Sequence, residues 1–377
     1  MPVSVRKFLG GKVQTLRAAF VQRSNDWWLS EFPMIPTSKR ATVTKVIKLS
    51  DLRRFGSNPG ALTSRTYIPA HFRKGRPLLV VLHGSMQTAE DYNRGTGWSA
   101  LADLHSFALL FPEQTRSNNA IRGFNWFELD DNRRGAGEPL SIRQMIQRVV
   151  ADHEIDCDRI FITGLSSGGA MTSVMLATYP DIFAGGAIIA GLPYSGASSL
   201  LQALYNMKGF WASDQQLDAL VRGASKNVDE WPTISVWHGS DDRTVDPSNA
   251  DATVRQWQSL HCVEGTPTRT EIVDGHPRRV WCDADGREVI EEYRITKMGH
   301  GAPLRTGGAE GYGASGDHML EVGICSTKHI ACFWGLIDQK INRRRVHGGA
   351  AACADVVPWA SVATRWFDRM KSITGSS

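Results

Sequence analysis

The chain has 377 residues, 42% of them hydrophobic and 21% charged, enough apolar material for one large α/β domain or two smaller ones and too much for a disordered chain. Its formal net charge of +5 is mild for that length, and no long block of Lys or Arg is interleaved with aromatics, so nucleic acid is not an expected partner. No apolar run approaches the roughly twenty residues of a membrane-spanning helix, and the six cysteines form no Cys-x-x-Cys pair or His-spaced cluster, so neither a transmembrane segment nor a metal is expected.

In chain order, residues 1–45 read as a basic N-terminal extension. Arg6, Lys7, Lys12, Arg17 and Arg23 occur without an acid in the first 25 positions, and Val5, Phe8, Leu9, Val13, Leu16 and Phe20 recur at helical spacing. Such an arm could lie on an anionic or apolar surface, such as a granule, or dock on its own domain. It lacks the unbroken apolar core of a secretory signal, so a cytoplasmic chain with reduced thiols is expected. Cys262 and Cys282 flank an expected hairpin and could pair if the compartment were oxidising.

Residues 46–345 read as one catalytic domain. Short apolar runs at 77–82, 107–111, 160–162, 186–190 and 233–237 alternate with helical stretches, and a last strand covers 288–295. That alternation predicts an α/β fold: a mostly parallel sheet covered by helices on both faces. The segment 191–230 is an excursion between strands that could rim a site, and 346–377 reads as a C-terminal tail behind a Gly/Ala linker. In such sheets chemistry collects at the carboxyl ends of the strands.

Gly164-Leu165-Ser166-Ser167-Gly168 follows one of these runs directly and precedes an apolar helical stretch stopped by Pro180. A strand that turns into a helix through Gly-x-Ser-x-Gly lifts one serine hydroxyl clear of the sheet, which makes Ser166 the candidate nucleophile. A serine needs a base, and the base an orienting acid. His300 lies between Gly299 and Gly301 just after the last strand, and His238-Gly239-x-x-Asp242-x-x-Val245 selects Asp242 over its neighbour Asp241, which reads as a turn cap. The order Ser166, Asp242, His300 is that of an α/β-hydrolase. His318 and His329 are the alternatives for the base, whereas His83 and His238 read as rings bonded to loop backbone. The N–H of Ser167 and that of Ser85, or of Met86, are the expected oxyanion donors. Met86, Trp98 and Trp126 are the candidate substrate-binding residues, with Trp231 a further candidate for an aromatic wall.

With these motifs stand Gln87-Thr88-Ala89-Glu90-Asp91-Tyr92, Phe111-Pro112-Glu113-Gln114, Asn125-Trp126-Phe127 and Gly191-Leu192-Pro193-Tyr194. Together they resemble the short-chain-length polyhydroxyalkanoate (PHB) depolymerase family of α/β-hydrolase esterases, with feruloyl and acetylxylan esterases as neighbours. The resemblance runs from about residue 50 to about 340. It implies a Ser166, Asp242, His300 triad acting on 3-hydroxybutyrate polyester or on small esters, without cofactor or metal. Many members of that family carry cysteines where this chain has Ser85 and near Gly123, a pair that can form a disulfide.

Overall fold

Strands of five or six consecutive apolar residues are stable only where both faces of a sheet are covered, and here they form the middle of one large sheet. The computed structural model describes residues 48–195, 199–211, 214–225, 230–263, 265–308 and 311–337. The extension 1–45 and the tail 346–377 lie outside the described residues.

The sheet strands, in chain order, are β1 (Ser50–Asp51), β2 (Thr63–Tyr67), β3 (Leu78–Leu82), β4 (Ala108–Glu113), β5 (Ile160–Leu165), β6 (Gly185–Ile189), β7 (Thr233–Gly239), β8 (Arg269–Val273), β9 (His276–Cys282) and β10 (Glu288–Ile295). Their spatial order is β1-β2-β4-β3-β5-β6-β7-β10-β9-β8. The six from β4 to β10 run parallel, while β1, β2, β8 and β9 attach antiparallel at the two margins. A second, two-stranded parallel sheet joins β11 (Ala302–Leu304) to β12 (Met319–Glu321).

Alternate strand residues feed two cores. On one face Leu78, Val80, Ile162 and Val236 pack against α3 (Gly137–His153), α4 (Ser167–Thr178) and α7 (Ser248–Gln258) through Ile142, Met171, Val174 and Trp257. On the other face Leu79, Val81, Phe161 and Trp237 pack against α1 (Ala89–Thr96), α2 (Trp98–His105) and α8 (Ser326–Phe333) through Tyr92, Trp98, Leu101 and Ile330. All five residues of β3 are buried, and each such aliphatic side chain stabilises the fold by roughly 2 kcal/mol.

Helix α4 is buried along its whole length, so its hydroxyls need internal partners. Thr172 and Thr178 bond back one turn, to Gly168 O and Val174 O, and Ser173 reaches Leu192 O. The excursion after β6 contains α5 (Leu200–Met207) and α6 (Asp214–Ala224). The end of α5 is pinned beside the loop that follows β7, where Asp246 N–H donates to Met207 O at 2.8 Å.

Two acids in β10 are fully buried. Glu291 accepts from Ser235 Oγ (2.6 Å) and Arg278 Nε (2.8 Å), and Glu292 pairs with Arg279 and Arg294. Charge at these positions is tolerated because each carboxylate meets a guanidinium from the neighbouring strand β9, and Glu292 also that of Arg294 on β10 itself. Cys262 and Cys282 are free thiols and are not joined to each other. No helix among the described residues is long and apolar enough to cross a membrane.

Candidate active site

The turn from β5 into α4 is very tight. A Cβ on Gly164 would lie 2.3 Å from Gly168 O, and a Cβ on Gly168 would lie 2.5 Å from the carbonyl oxygens of Leu82 and His83. Only glycine fits at either position, which allows β5 and α4 to approach β3 closely. Between them Ser166 takes φ 56° and ψ −116°, a strained conformation for a residue with a side chain, and its N–H is held by Ile189 O at 2.9 Å. The hydroxyl thus stands half-buried above the carboxyl end of the sheet.

Two loops converge on it. His300 Nε2 lies 2.9 Å from Ser166 Oγ, and His300 Nδ1 lies 2.7 Å from Asp242 Oδ2. Asp242 is inaccessible to solvent, and its other oxygen accepts the N–H groups of Thr244 and Val245, both at 2.9 Å. Burial opposes its charge, but hydrogen bonds from His238 and His300 outweigh that and hold the carboxyl well below the usual carboxylate range. The two loops are laced together: Asp241 N–H donates to Met298 O, Ser240 N–H to Ile295 O, and a Cβ on Gly239 would lie 2.2 Å from Met298 O. Asp241 itself is exposed and takes the Ser240 hydroxyl.

The second histidine beside Asp242 was not expected from sequence. His238 Nε2 sits 3.0 Å from Val245 O and 3.3 Å from Asp242 Oδ2. A carbonyl only accepts, so Nε2 carries the proton and shares it with the carboxylate. The backbone bond matches the reading of a strand-end ring; the contact with the acid adds to it. His83 likewise bonds to loop backbone, with Gln114 N–H donating to its Nε2 and its Nδ1 facing Gly84 O. Burial pushes its imidazole down to about 4, so it is neutral there.

Around Ser166 lies a small open depression lined by Ser85, Met86, Gln87, Leu165, His300 and His318, among others. Met86 N–H is already donated to Ile121 O at 2.6 Å, which leaves Ser85 N–H, of the two alternatives, beside that of Ser167 at the start of α4. The two serine hydroxyls touch at 3.2 Å. A chemistry follows from the arrangement: a hydroxyl with a base at hydrogen-bond distance, an acid fixing that base, and N–H groups at a helix start can attack an acyl carbon and hold the resulting oxyanion.

The model of the family described as Esterase PHB depolymerase matches residues 62–271, more than half of the chain. The chain belongs to that family. The curated relatives agree: a poly(3-hydroxyalkanoate) depolymerase C of Paucimonas lemoignei is 43% identical over 297 residues, covering 78% of this chain and 72% of its own. An acetylxylan esterase of Coprinopsis cinerea is 29% identical over 270 residues (68% of this chain, 70% of the relative), and a feruloyl esterase B of Talaromyces funiculosus is 27% identical over 270 (69% and 75%). Among solved structures the acetyl xylan esterase of Aspergillus awamori superposes with a TM-score of 0.65 at 20% identity, over 77% of this chain and all of that one, which shows the α/β-hydrolase fold. The protein is a carboxylic ester hydrolase of this family.

Within this esterase the aromatic candidates separate from the pocket. Trp98 is 1% exposed and packs with Tyr92 and Leu101 beneath α1 and α2, and Trp126 belongs to the core on the opposite face of the sheet. Neither lines the depression, because both rings are consumed by packing, and Trp231 packs edge-on against Trp257. Met86, 37% exposed, remains at the rim. His329 is bound to Asp274 away from Ser166, whereas His318 lines the depression.

Glu138 was also missed. Its fully buried carboxylate, in the first turn of α3, accepts from Gln114 Nε2 (2.5 Å) and Asn125 N–H (3.0 Å) and so ties down the loop that offers Ile121 O to Met86. An acid near a helix start reads as a solvated cap, and nothing local in the sequence marks it as buried.

Proposed function

We propose that the protein is a serine esterase that hydrolyses short-chain 3-hydroxyalkanoate polyester or its oligomers through an acyl-enzyme on Ser166. The observation that carries the substrate class is the 43% identity to a poly(3-hydroxyalkanoate) depolymerase over most of both chains, against 27–29% for the feruloyl and acetylxylan relatives. The line from Ser166 through His300 to Asp242 supports the mechanism.

Ser166 Oγ attacks the ester carbonyl carbon while its proton passes to His300 Nε2. The oxyanion is held by the N–H groups of Ser85 and Ser167. The bond to the alkoxide oxygen then breaks, that oxygen takes the proton from His300, and the hydroxyl-terminated fragment leaves. Water repeats the attack on the acyl-enzyme with His300 again as base, which frees the acid and restores Ser166. Asp242 keeps His300 Nδ1 protonated and stabilises the imidazolium without taking its proton.

Turnover of a 3-hydroxybutyrate oligomer, amorphous polymer, acetylated xylan and a feruloyl ester, by wild type and Ser166→Ala, tests the reading. Loss of polyester turnover in the variant is expected. Wild-type activity confined to the sugar-linked esters would favour the second reading, a small-ester carboxylesterase, for which the acetylxylan and feruloyl relatives speak. The basic arm 1–45 supports a granule or polymer-surface contact, and the unjoined Cys262 and Cys282 support a cytoplasmic site. Deleting the arm should weaken adsorption to polymer while oligomer turnover persists.

A further inference from the structure

His318 stands 18 residues beyond His300, yet two hydrogen bonds and a ring contact tie it to the loop that carries the base. Its ring Nδ1 lies 3.1 Å from His300 O, its own carbonyl accepts Ala302 N–H at 2.8 Å, and a Cβ on Gly301 would lie 2.7 Å from that carbonyl. Since a carbonyl oxygen only accepts, Nδ1 must carry the proton of the His318 ring. The two imidazoles meet edge to face, with centroids 5.7 Å apart and planes at 77°.

The backbone is bent to make this possible. His318 takes φ 58° in a turn closed by Gly316 and Met319, a left-handed conformation uncommon for a residue with a side chain. Strain of this kind persists where surrounding contacts over-determine it, and it collects at functional sites. From the other side Gln87 joins the same turn to the oxyanion segment, since its Oε1 accepts Gly84 N–H at 2.9 Å and its Nε2 reaches Asp317 O at 3.5 Å.

Before His300 the chain is tied at Met298, whose carbonyl accepts Asp241 N–H, while a Cβ on Gly299 would meet nothing within 4 Å, so no side chain braces the residue next to the base. Beyond His300 the loop is held by the His318 turn and by the pairing of β11 with β12. We propose that His318 is a positioning residue for the base: its ring N–H holds the carbonyl of His300 and thereby keeps the His300 imidazole aimed at Ser166. The ring transfers no proton to substrate in this role. It acts through the geometry of another side chain, where a displacement of about 1 Å can cost on the order of 100-fold in rate.

This inference rests on the reading of His300 as base, and the test separates the two. His318→Gly removes the donor, and His318→Asn restores a side-chain N–H close to the same place; both residues accept the left-handed backbone, so neither is expected to unfold the turn. Each is assayed on p-nitrophenyl butyrate for kcat and KM, and with a fluorophosphonate, whose capture needs an activated serine but no particular acyl group. Thermal unfolding is followed in parallel.

The expected result is a kcat about 10–100-fold lower in His318→Gly with KM within about twofold, an equal fall in the rate of fluorophosphonate capture, and recovery in His318→Asn to within about fivefold of wild type. Wild-type kcat in His318→Gly, a change confined to KM, or equal impairment of the two variants would overturn the proposal. His300→Ala serves as the reference. If it retains activity, the reading of the base fails, whereas an inactive His300→Ala beside a fully active His318→Gly sinks only the role of His318.

Discussion

Ser166 holds its φ of 56° against the preference of any residue with a Cβ, and the cost of such a conformation is of order 1–3 kcal/mol. Ser166→Gly should therefore lose at least about 10³-fold in ester hydrolysis and unfold at a higher temperature than wild type, by about 1 kcal/mol of added stability. Unfolding at or below the wild-type temperature would show that the elbow is not strained. Asp242 makes the opposite kind of prediction. Its folded-state carboxyl titrates below the unfolded one, so the stability it contributes is present above about pH 4 and lost as pH falls through the folded value. Asp242→Asn should lower kcat at neutral pH by about 10³–10⁴-fold and flatten the acid limb of a stability profile, checked by steady-state kinetics and urea unfolding at stepped pH. At this scale the sequence was most legible, since Gly-x-Ser-x-Gly, the spacing from His238 to Asp242 and the glycines flanking His300 are local signals. His238 beside the carboxylate and the turn at His318 were not legible, because both depend on contacts between segments distant in the chain.

The elements that could be read were those whose burial is written in their own residues. The central strands β3 to β7 are continuous apolar runs, and the covered parallel sheet followed from them. β2, with Thr-Ser-Arg-Thr-Tyr, and the two-residue β1 carry no such signal, because marginal strands need to bury only alternate positions. The aromatic candidates Trp98 and Trp126 failed for a related reason: a ring of that size is as useful in a core as at a site, and both are packed inside. The loop between β4 and α3 suggests a test at its own scale. A Cβ on Gly123 would stand 2.8 Å from Ser85 Oγ, close to the reach of one cysteine sulfur to its partner's Cβ. The double variant Ser85→Cys/Gly123→Cys should oxidise to an intramolecular disulfide and gain about 2–4 kcal/mol that a reductant removes, while esterase activity stays within a few-fold of wild type. Mass spectrometry with and without reductant, paired with thermal unfolding, reads both parts; failure to cross-link would mean that the oxyanion segment does not lie against this loop.

For the molecule as a whole, two imidazoles, His83 fully buried and His261 half-buried, set a second pH dependence. Burial pushes His83 and His261 each down to about 4, below the ordinary value near 6.5, so the unfolded chain binds more protons between those limits. The stability these two rings contribute should be full above about pH 6.5, fall by a few kcal/mol as pH drops to about 4, and level off below that, while raised carboxyls such as Glu138 act in the opposite sense. Chemical denaturation at pH 7, 5 and 4 of wild type beside the double variant His83→Gln/His261→Gln checks this: the variant should lose part of the decline between pH 7 and 4, and identical pH slopes in the two proteins would mean that the rings are not held neutral. The large parallel sheet makes the site possible by bringing Ser85, Ser166, Asp242 and His300, spread over more than two hundred residues, to one edge. The most direct test is the hydrolysis of a 3-hydroxybutyrate trimer by wild type and Ser166→Ala, followed by the appearance of free 3-hydroxybutyrate. Release by wild type and a rate at least about 10³-fold lower in the variant is the expected result; equal release by both proteins, or none by an otherwise active wild type, would contradict a polyester esterase acting through Ser166.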